Sequence, residues 1–293
     1  MTGTTTRDTI DTPLIIEVAV NGGTSRREHP RVPLSPAEIL ADARACAEEG
    51  ASVIHVHGRA SDGSWAFDDA AAHREAFTGL RKEDGLLVYP SMMFTRNDPA
   101  GRFAHVDELA GEGLLDWAPV DTGTTYLIGC SDGRLAARGF AYENPVADNR
   151  HVLALCERHG LAPSVAAYEP HFIRHLLLLL PEFPRLRPAV VRFMFGGARL
   201  PFGFPPDPVF IDAYVHLLAD SGLPWMVACY GGDVLPIAEH AIRRGGHVRV
   251  GLEDDASDPA RGNVERVREV AALARRLGRR IATPEEARRL TGG

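Results

Sequence analysis

The stretch Val53-Ile54-His55-Val56-His57-Gly58-Arg59 places two histidines one residue apart in a β-branched run. Valine and isoleucine favour strands, and side chains two apart on a strand lie on the same face. The stretch therefore predicts a strand that directs both imidazoles to one point. Two converging imidazoles occur in many metal sites, although histidine pairs can also be core residues bonded to the backbone.

A second strand pattern with acidic residues at its end lies far later in the chain, at residues 245–255. If both strands belong to one closed parallel sheet, their carboxyl ends meet at the same rim and Glu253 joins His55 and His57. Two histidines and one glutamate with an open fourth position form a ligand set that catalytic zinc prefers. We therefore predict a Zn²⁺ site at these three residues.

Length and composition bound the protein class. The chain has 293 residues, of which 45% are hydrophobic and 24% charged, enough for one large core. Its formal charge of −7 disfavours nucleic acid as a partner. The longest apolar run, residues 176–180, is too short to span a bilayer, and the first thirty residues lack a signal-peptide pattern. Four scattered cysteines without a CxxC pair indicate reduced thiols, so we expect a cytoplasmic protein.

Short apolar runs alternate with helix patterns along the whole chain. The first helix begins at a capping box, Ser35-Pro36-Ala37-Glu38, and ends at Gly50. Strands are predicted at 14–20, 53–57, 86–91, 116–121, 163–168, 189–195, 224–229 and 247–252. The later helices are predicted at 68–82, 99–111, 145–159, 170–180, 207–220, 234–243 and 263–277, with a short terminal helix at 284–291 and an irregular segment at 122–142.

Eight strands alternating with eight helices are the pattern of a (β/α)₈ TIM barrel. We predict a single domain over residues 1–293, with a core from about 13 to 282 and polar, frayed residues 1–11. The competing doubly wound sheet needs a GxGxxG turn after its first strand, where this chain has Asn21-Gly22-Gly23-Thr24.

Polar residues are concentrated at the predicted carboxyl ends of the strands, where such barrels carry their chemistry. Arg249 beside the acids 253 and 254 suits anion recognition with proton transfer, or equally a barrel ion pair. Glu17, in a buried strand, could neutralise Arg249 or bind a cationic substrate group. Ser91 and Thr122 could bind a substrate or be solvated loop hydroxyls.

Several stretches together resemble the β-keto acid cleavage enzymes, from about Leu14 to Arg288. They are Glu17-Val-Ala-Val-Asn21-Gly22, the His55-Val-His57-Gly-Arg59 run, Tyr142-Glu143-Asn144-Pro145, Gly245-Gly246-His-Val-Arg249-Val-Gly251-Leu-Glu253-Asp254, and Asn263. Departures include Ala60 and Asp255, where the family usually has an acid and an asparagine.

The resemblance implies a zinc-dependent barrel enzyme, usually a homotetramer, that converts a β-keto acid and acetyl-CoA to acetoacetate and a new acyl-CoA. It implies zinc ligation by His55, His57 and Glu253, and a general base at Asp254 assisted by Arg249. Substrate contacts would come from Ser91, Thr122 and Glu143. Glu17 would occupy the position at which the aminohexanoate-cleaving members have a glutamate for the substrate ammonium group.

Two other classes remain as alternatives. An amidohydrolase-like metal hydrolase also uses a His-x-His pair and an acid from strand eight, but places the pair on strand one and adds histidines from strands five and six. Here the pair is on strand two, and His171 is the candidate on strand five. A binding or scaffolding barrel would not need an open metal site.

Overall fold

The computed structural model describes residues 12–92, 98–218 and 220–292, apart from the side chains of residues 82 and 83. The predicted frayed residues 1–11 lie outside this range. Eight parallel strands form one sheet in the order β3-β2-β1-β8-β7-β6-β5-β4. They are β1 (Ile16–Ala19), β2 (Val53–Val56), β3 (Leu87–Pro90), β4 (Trp117–Val120), β5 (Ala162–Ala167), β6 (Val190–Gly196), β7 (Trp225–Tyr230) and β8 (His247–Val250).

One aspartate joins the two remaining edges of this sheet. The Asp116 N–H donates to the Val88 carbonyl (3.1 Å), and the Val88 N–H donates to Asp116 Oδ2 (3.1 Å). β3 and β4 are therefore linked through main chain and side chain together, and the sheet is a nearly closed barrel. The predicted (β/α)₈ fold is confirmed.

Helices separate the strands and cover the barrel. They are α1 (Pro36–Glu49), α2 (Ala70–Phe77), α3 (Pro99–Arg102), α4 (Ala104–Gly111), α5 (Val146–His159), α6 (Pro170–Leu179), α7 (Pro208–Leu218), α8 (Leu235–Arg243), α9 (Asn263–Arg276) and α10 (Pro284–Thr291). Among the described residues, no helix combines the length and apolarity that a bilayer crossing requires.

Three elements differ from the sequence prediction. The helix expected over 68–82 begins as α2 and continues as a π-helix, Thr78–Glu83. The helix expected over 99–111 divides into α3 and α4 because Phe103 leaves helical geometry (φ −110°, ψ 12°) and buries its ring. The segment 122–142, expected to be irregular, contains two short antiparallel ladders, one of which pairs Thr125–Leu127 with Phe140–Tyr142.

The barrel interior is layered, apolar below and polar above. The lower layer is a closed apolar cluster that includes Ile15, Val53, Leu87 and Val190. Because residues two apart share a strand face, the next inward positions on these strands form the layer above. There the side chains are Glu17, His55, Tyr89 and Arg192. The core limits of about 13 and 282 stay a prediction. A parallel bridge between Leu14 and Ile281 lies close to both of them.

Candidate metal and substrate site

A cavity of about 460 Å³ opens at the carboxyl ends of the barrel strands. This volume suits a small-molecule ligand. Its rim carries exposed aromatic rings, among them Trp65 (59% exposed) and Phe140 (49%). Its deeper wall carries charged and polar side chains from seven strands and their ends, namely His55, His57, Tyr89, Ser91, Asp121, Ser164, Arg192, Tyr230, Arg249 and Glu253.

His55, His57 and Glu253 converge on one side of this cavity, as the sequence predicts. The two histidine Nε2 atoms are 3.1 Å apart. Glu253 Oε2 lies 3.4 Å from His55 Nε2 and 3.2 Å from His57 Nε2. Within the described part of the chain, these three residues are the one group of His, Cys, Asp or Glu with three ligand atoms so close together.

The geometry of this triangle fits a tetrahedral divalent metal. Zinc bonds to nitrogen or oxygen of about 2.0–2.1 Å give tetrahedral ligand separations of about 3.3 Å. Glu253 Oε2 is buried and has no hydrogen-bond partner among the described residues, as expected of an atom that binds an ion. Burial holds the pKa of His55 well below its ordinary value, so its imidazole is neutral and able to act as a ligand.

Aromatic packing orients the two imidazoles. Tyr89 stacks on the His55 ring (4.3 Å between centroids), and Phe67 meets the His57 ring edge-on (4.6 Å). Neither histidine Nδ1 has a hydrogen-bond partner among the described residues. Metal-binding histidines usually donate this second nitrogen to a carboxylate or carbonyl. Here the ring planes are therefore set by the neighbouring rings instead.

Two glycines place Glu253 beside the histidines. After β8 the chain turns at Gly251 (φ +145°), where an added Cβ would lie 2.1 Å from the Ala19 carbonyl oxygen. This turn lets the Glu253 N–H donate to the same Ala19 carbonyl (3.2 Å). At Gly22 (φ +50°), an added Cβ would lie 2.3 Å from Glu253 Cγ. The glutamate therefore reaches the histidines only because both positions lack a side chain.

Arg249 connects the candidate metal ligand with the neighbouring acid. Its Nη2 lies 2.8 Å from Glu253 Oε1 and 2.7 Å from Asp254 Oδ1, and its Nε donates to Asp254 Oδ2 (2.9 Å). Burial works against the guanidinium charge, but the two carboxylates outweigh it and hold the pKa of Arg249 well above its ordinary range. Arg249 lines the cavity, whereas Asp254 lies behind it and has both oxygens on the guanidinium.

A second buried ion pair forms the cavity floor. Arg192 Nη2 donates to Glu17 Oε2 (2.8 Å), Tyr89 Oη (2.6 Å) and Ser164 Oγ (2.8 Å). The Tyr89 hydroxyl donates to Glu17 Oε1 (2.6 Å), and Arg249 Nη1 is 3.4 Å from the same oxygen. Of the two roles left open for Glu17, this geometry matches charge neutralisation, and the carboxylate is fully buried below the cavity lining.

Asp121 and Tyr142 form a further polar pair on the opposite wall. The Tyr142 hydroxyl donates to Asp121 Oδ2 (2.5 Å), and both residues line the cavity. Burial is the main reason why the pKa of Asp121 is raised to about 6. Tyr142 comes from the short antiparallel ladder after β4, so this segment supplies part of the wall.

The remaining predicted substrate residues have different positions. Ser91 lines the cavity, and its hydroxyl has no hydrogen-bond partner among the described residues. The Thr122 hydroxyl donates to the Phe172 carbonyl (2.6 Å), and the Glu143 side chain is exposed; neither lines the cavity. Their roles as substrate ligands stay predictions. His171 also lies outside the lining and outside the metal triangle.

Arg192 and Tyr89 are the site residues that sequence reasoning missed. A usable signal was present in β6, where Arg192 is the one charged residue of an otherwise apolar strand, Val-Val-Arg-Phe-Met-Phe-Gly. The same signal, a charge inside a buried strand, singled out Glu17. Tyr89 carried no such signal because a tyrosine in a strand is ordinary.

Comparison with known proteins shows to which family the chain belongs. A profile of the beta-keto acid cleavage enzyme family matches residues 13–292, nearly the whole chain. The chain belongs to the β-keto acid cleavage enzyme family. Members of this family are acetyl-CoA-dependent β-keto acid cleavage and transferase enzymes.

Family relatives cover almost the full chain. A 3-keto-5-aminohexanoate cleavage enzyme of Fusobacterium nucleatum subsp. nucleatum is 30% identical over 290 residues, which are 94% of this chain and 97% of that protein. A 3-oxoadipate:acetyl-CoA acetyltransferase of Cupriavidus necator is 28% identical and covers 96% of this chain and 95% of its own. Among solved structures, a ternary complex of ObcA with a C4-CoA adduct and oxalate superposes with a TM-score of 0.70 at 17% identity, over 90% of this chain and 68% of that chain. This similarity shows the barrel fold.

Proposed function

We propose that this protein is a zinc-dependent β-keto acid cleavage enzyme that converts a β-keto acid and acetyl-CoA to acetoacetate and a new acyl-CoA. The observation that carries the proposal is that the His55, His57 and Glu253 triangle lies in one cavity beside Arg249, which is paired with Asp254 behind the cavity wall. The triangle offers three ligands with an open position, and the pair offers a charged group for proton transfer.

His55, His57 and Glu253 would hold the zinc ion. When bound there, the metal supplies a Lewis acid that polarises the substrate keto group and makes the carbon between the two carbonyls more acidic. Ser91, whose hydroxyl has no hydrogen-bond partner in the described part of the chain, would bind the substrate carboxylate beside it. Thr122 and Glu143, as predicted from the resemblance, would take part in substrate binding only after their side chains turn toward the cavity.

Arg249 and Asp254 would act as one unit in proton transfer. Asp254 would turn out from behind Arg249 and take the proton from substrate C2, while Arg249 would stay a charged guanidinium that orients Asp254 and stabilises the negative charge forming on the substrate. The burial that raises the pKa of Asp254 favours its protonated form in this step. The same unit returns a proton to carbon at the end of the reaction.

The bonds that form and break balance without any further reactant. The C2 carbanion attacks the acetyl carbonyl carbon, and the carbon–sulfur bond of acetyl-CoA breaks to release the CoA thiolate. The thiolate adds to the substrate C3 carbonyl, and the C2–C3 bond breaks. The products are acetoacetate, after C2 takes up the proton from the Arg249–Asp254 pair, and a thioester of the remaining acyl group. The wide cavity mouth beside Trp65 and Phe140 gives the pantetheine arm access.

An assay with purified protein tests this proposal. We expect acetoacetate to form from a panel of β-keto acids only when acetyl-CoA is present, and to stop after a chelator such as dipicolinate until zinc is added back. Metal-dependent turnover without acetyl-CoA would instead support the hydrolase alternative. Absence of turnover with every substrate, in protein that carries zinc, would contradict the proposal.

We also propose that the protein is a homotetramer that works in the cytoplasm, with β-keto acids and acetyl-CoA as its small-molecule partners. The resemblance supports the tetramer, and the cysteine pattern supports the compartment. Light scattering coupled to size-exclusion chromatography measures the assembly, and a mass other than four chains would contradict it.

A further inference from the structure

We propose that Arg192 makes this site selective for β-keto acids whose far end carries a carboxylate. The inference rests on the proposed function and concerns which substrates the same cavity accepts. It follows from the place of Arg192 in the barrel, from the hydrogen bonds that it makes and leaves unmade, and from the pairing of the acid beside it.

Arg192 lies where the far end of a substrate must reach. It belongs to the polar layer directly above the apolar lower cluster, its side chain is 3% exposed, and it lines the cavity. Acetyl-CoA has to enter from the open rim, and the metal triangle occupies the wall of β2 and β8. A keto acid bound at that triangle therefore extends its remaining chain into the closed part of the cavity.

The guanidinium of Arg192 has unused donors. Its three hydrogen bonds to described residues all come from one nitrogen, Nη2, which donates to Glu17, Tyr89 and Ser164. Nε is buried and has no partner among the described residues. A buried unsatisfied donor is costly, and a carboxylate is the acceptor that a guanidinium binds most strongly. The free site therefore favours an anionic group.

Glu17 does not offer a matching site for a cation. Both of its oxygens are already bonded, one to Arg192 and the other to the Tyr89 hydroxyl, with Arg249 close to the latter. It is fully buried and does not line the cavity. Glu17 therefore has little acceptor capacity left for an ammonium group, and its approach from the cavity would bring that group close to the Arg192 guanidinium.

Asp121 is the acid that could attract a cationic substrate end instead. It lines the same cavity, but one of its oxygens accepts the Tyr142 hydroxyl proton, so part of its acceptor capacity is used. Arg192, by contrast, has a buried donor, Nε, for which the described residues provide no acceptor. The unsatisfied donor of Arg192 therefore favours an anionic over a cationic substrate end. Asp121 provides a matched control for the experiment.

Three six-carbon substrates test the inference with acetyl-CoA: 3-oxoadipate with an anionic end, 3-oxohexanoate with a neutral end and 5-amino-3-oxohexanoate with a cationic end. We expect kcat/KM for 3-oxoadipate to exceed that for 3-oxohexanoate about ten- to hundredfold, as one charge-assisted hydrogen bond allows. The cationic substrate should rank last. Equal rates for the first two, or preference for the cation, would overturn the inference while leaving the proposed function intact. Failure of all three would contradict the function itself.

Variants separate Arg192 from general disturbance of the cavity. Arg192→Gln should reduce the ratio of kcat/KM for anionic and neutral substrates toward one, mainly through KM, and Arg192→Lys should restore part of it. Removing Arg192 alone leaves Glu17 as an uncompensated buried charge. The double variant E17Q/R192Q removes both charges of this ion pair and therefore provides the same test without a buried unpaired charge. Asp121→Asn should keep or raise the ratio. An unchanged ratio in E17Q/R192Q, or an equal fall in Asp121→Asn, would overturn the inference.

Discussion

The side chain of Asn21 pairs with the main chain of His57 through two hydrogen bonds. Asn21 Nδ2 donates to the His57 carbonyl (3.0 Å), and the His57 N–H donates to Asn21 Oδ1 (2.9 Å). The amide thus continues the β1–β2 ladder beyond the end of β2, just where the second imidazole leaves the strand. Since the backbone of His57 is held on both its polar atoms, the Cα–Cβ bond of His57 is fixed in direction before any metal binds, and Phe67 then orients the ring.

Asn21→Ala should therefore weaken metal binding without removing a ligand. Loss of groups that orient metal ligands typically costs about ten- to hundredfold in affinity, and we expect a loss in this range. Competition with a fluorescent zinc chelator measures it. Asn149→Ala is the control. It removes another buried side-chain amide, which lies on α5 and donates to the carbonyl of Asn144 before that helix, and it should lower thermal stability only. Equal zinc affinity in wild type and Asn21→Ala would refute the orienting role.

Glu253→Gln should lose both zinc and turnover. The amide keeps the size of the side chain but lacks the negative charge that a divalent ion requires at this position. Emission spectroscopy on dialysed protein gives the metal content. Glu169→Gln, which alters an acid at the end of β5 that accepts the Thr125 hydroxyl, should keep its zinc. Unaltered zinc content in Glu253→Gln would show that the ligand assignment is wrong.

Asp254→Asn should abolish turnover while zinc stays bound. We expect kcat to fall about 10²- to 10⁴-fold, the usual contribution of a general base, because the amide cannot accept the proton of substrate C2. Asp255→Asn is the neighbouring control: its carboxylate pairs with Arg266 (3.0 Å) on the outer side, so kcat should change little. A zinc-loaded Asp254→Asn enzyme with near-normal kcat would remove Asp254 from the mechanism.

Gly251→Ala should disrupt the site through the backbone. The new Cβ would lie 2.1 Å from the Ala19 carbonyl oxygen at a φ of +145°, so the turn that carries Glu253 must shift. Strain of this kind costs about 1–3 kcal/mol, and we expect lower zinc affinity in addition. Gly111→Ala, at the end of α4 where nothing lies within 4 Å of an added Cβ, should be nearly neutral. Urea unfolding and zinc titration measure both; if Gly251→Ala behaved like Gly111→Ala, the role of the turn would be disproved.

Asp42 gives the fold a pH dependence that is separate from the active site. Its carboxylate accepts from Asn263 Nδ2 (2.6 Å), and burial, the largest cause, raises its pKa from 3.8 to about 6. Between these values the unfolded chain releases the proton while the folded chain retains it. Stability therefore falls as pH rises through this window, by up to about 3 kcal/mol at 1.36 kcal/mol per pKa unit, and the loss is complete above pH 6.

Asp42→Asn should remove this pH dependence. The amide still accepts a hydrogen bond from Asn263 and carries no charge to desolvate, so we expect the variant to be more stable than wild type at pH 8 and about equal at pH 4. Free energies of unfolding from urea titrations at the two pH values provide the comparison. A stability difference that is the same at both pH values would contradict the raised pKa.

Local patterns were sufficient for most of the fold. The eight strands are confirmed because each is a short apolar run between turn residues, and α1 begins at its predicted capping box, with Ser35 accepting from the Glu38 N–H. The break at Phe103 was not predictable, because it depends on burial of that ring among neighbouring helices. Likewise, the ladders within 122–142 arise from pairing between distant parts of one segment.

The sequence by itself determined the barrel and the identity of the candidate metal ligands, since period-two alternation puts His55 and His57 on one face and a parallel sheet puts Glu253 at the same rim. Only the tertiary structure decided which charges meet. It placed Arg192 against Glu17, set Asp254 behind Arg249, and turned Thr122 toward the Phe172 carbonyl. The physical reason is that alternation specifies which way a side chain faces, whereas its partner depends on strand order, register and turn geometry between residues far apart in the chain.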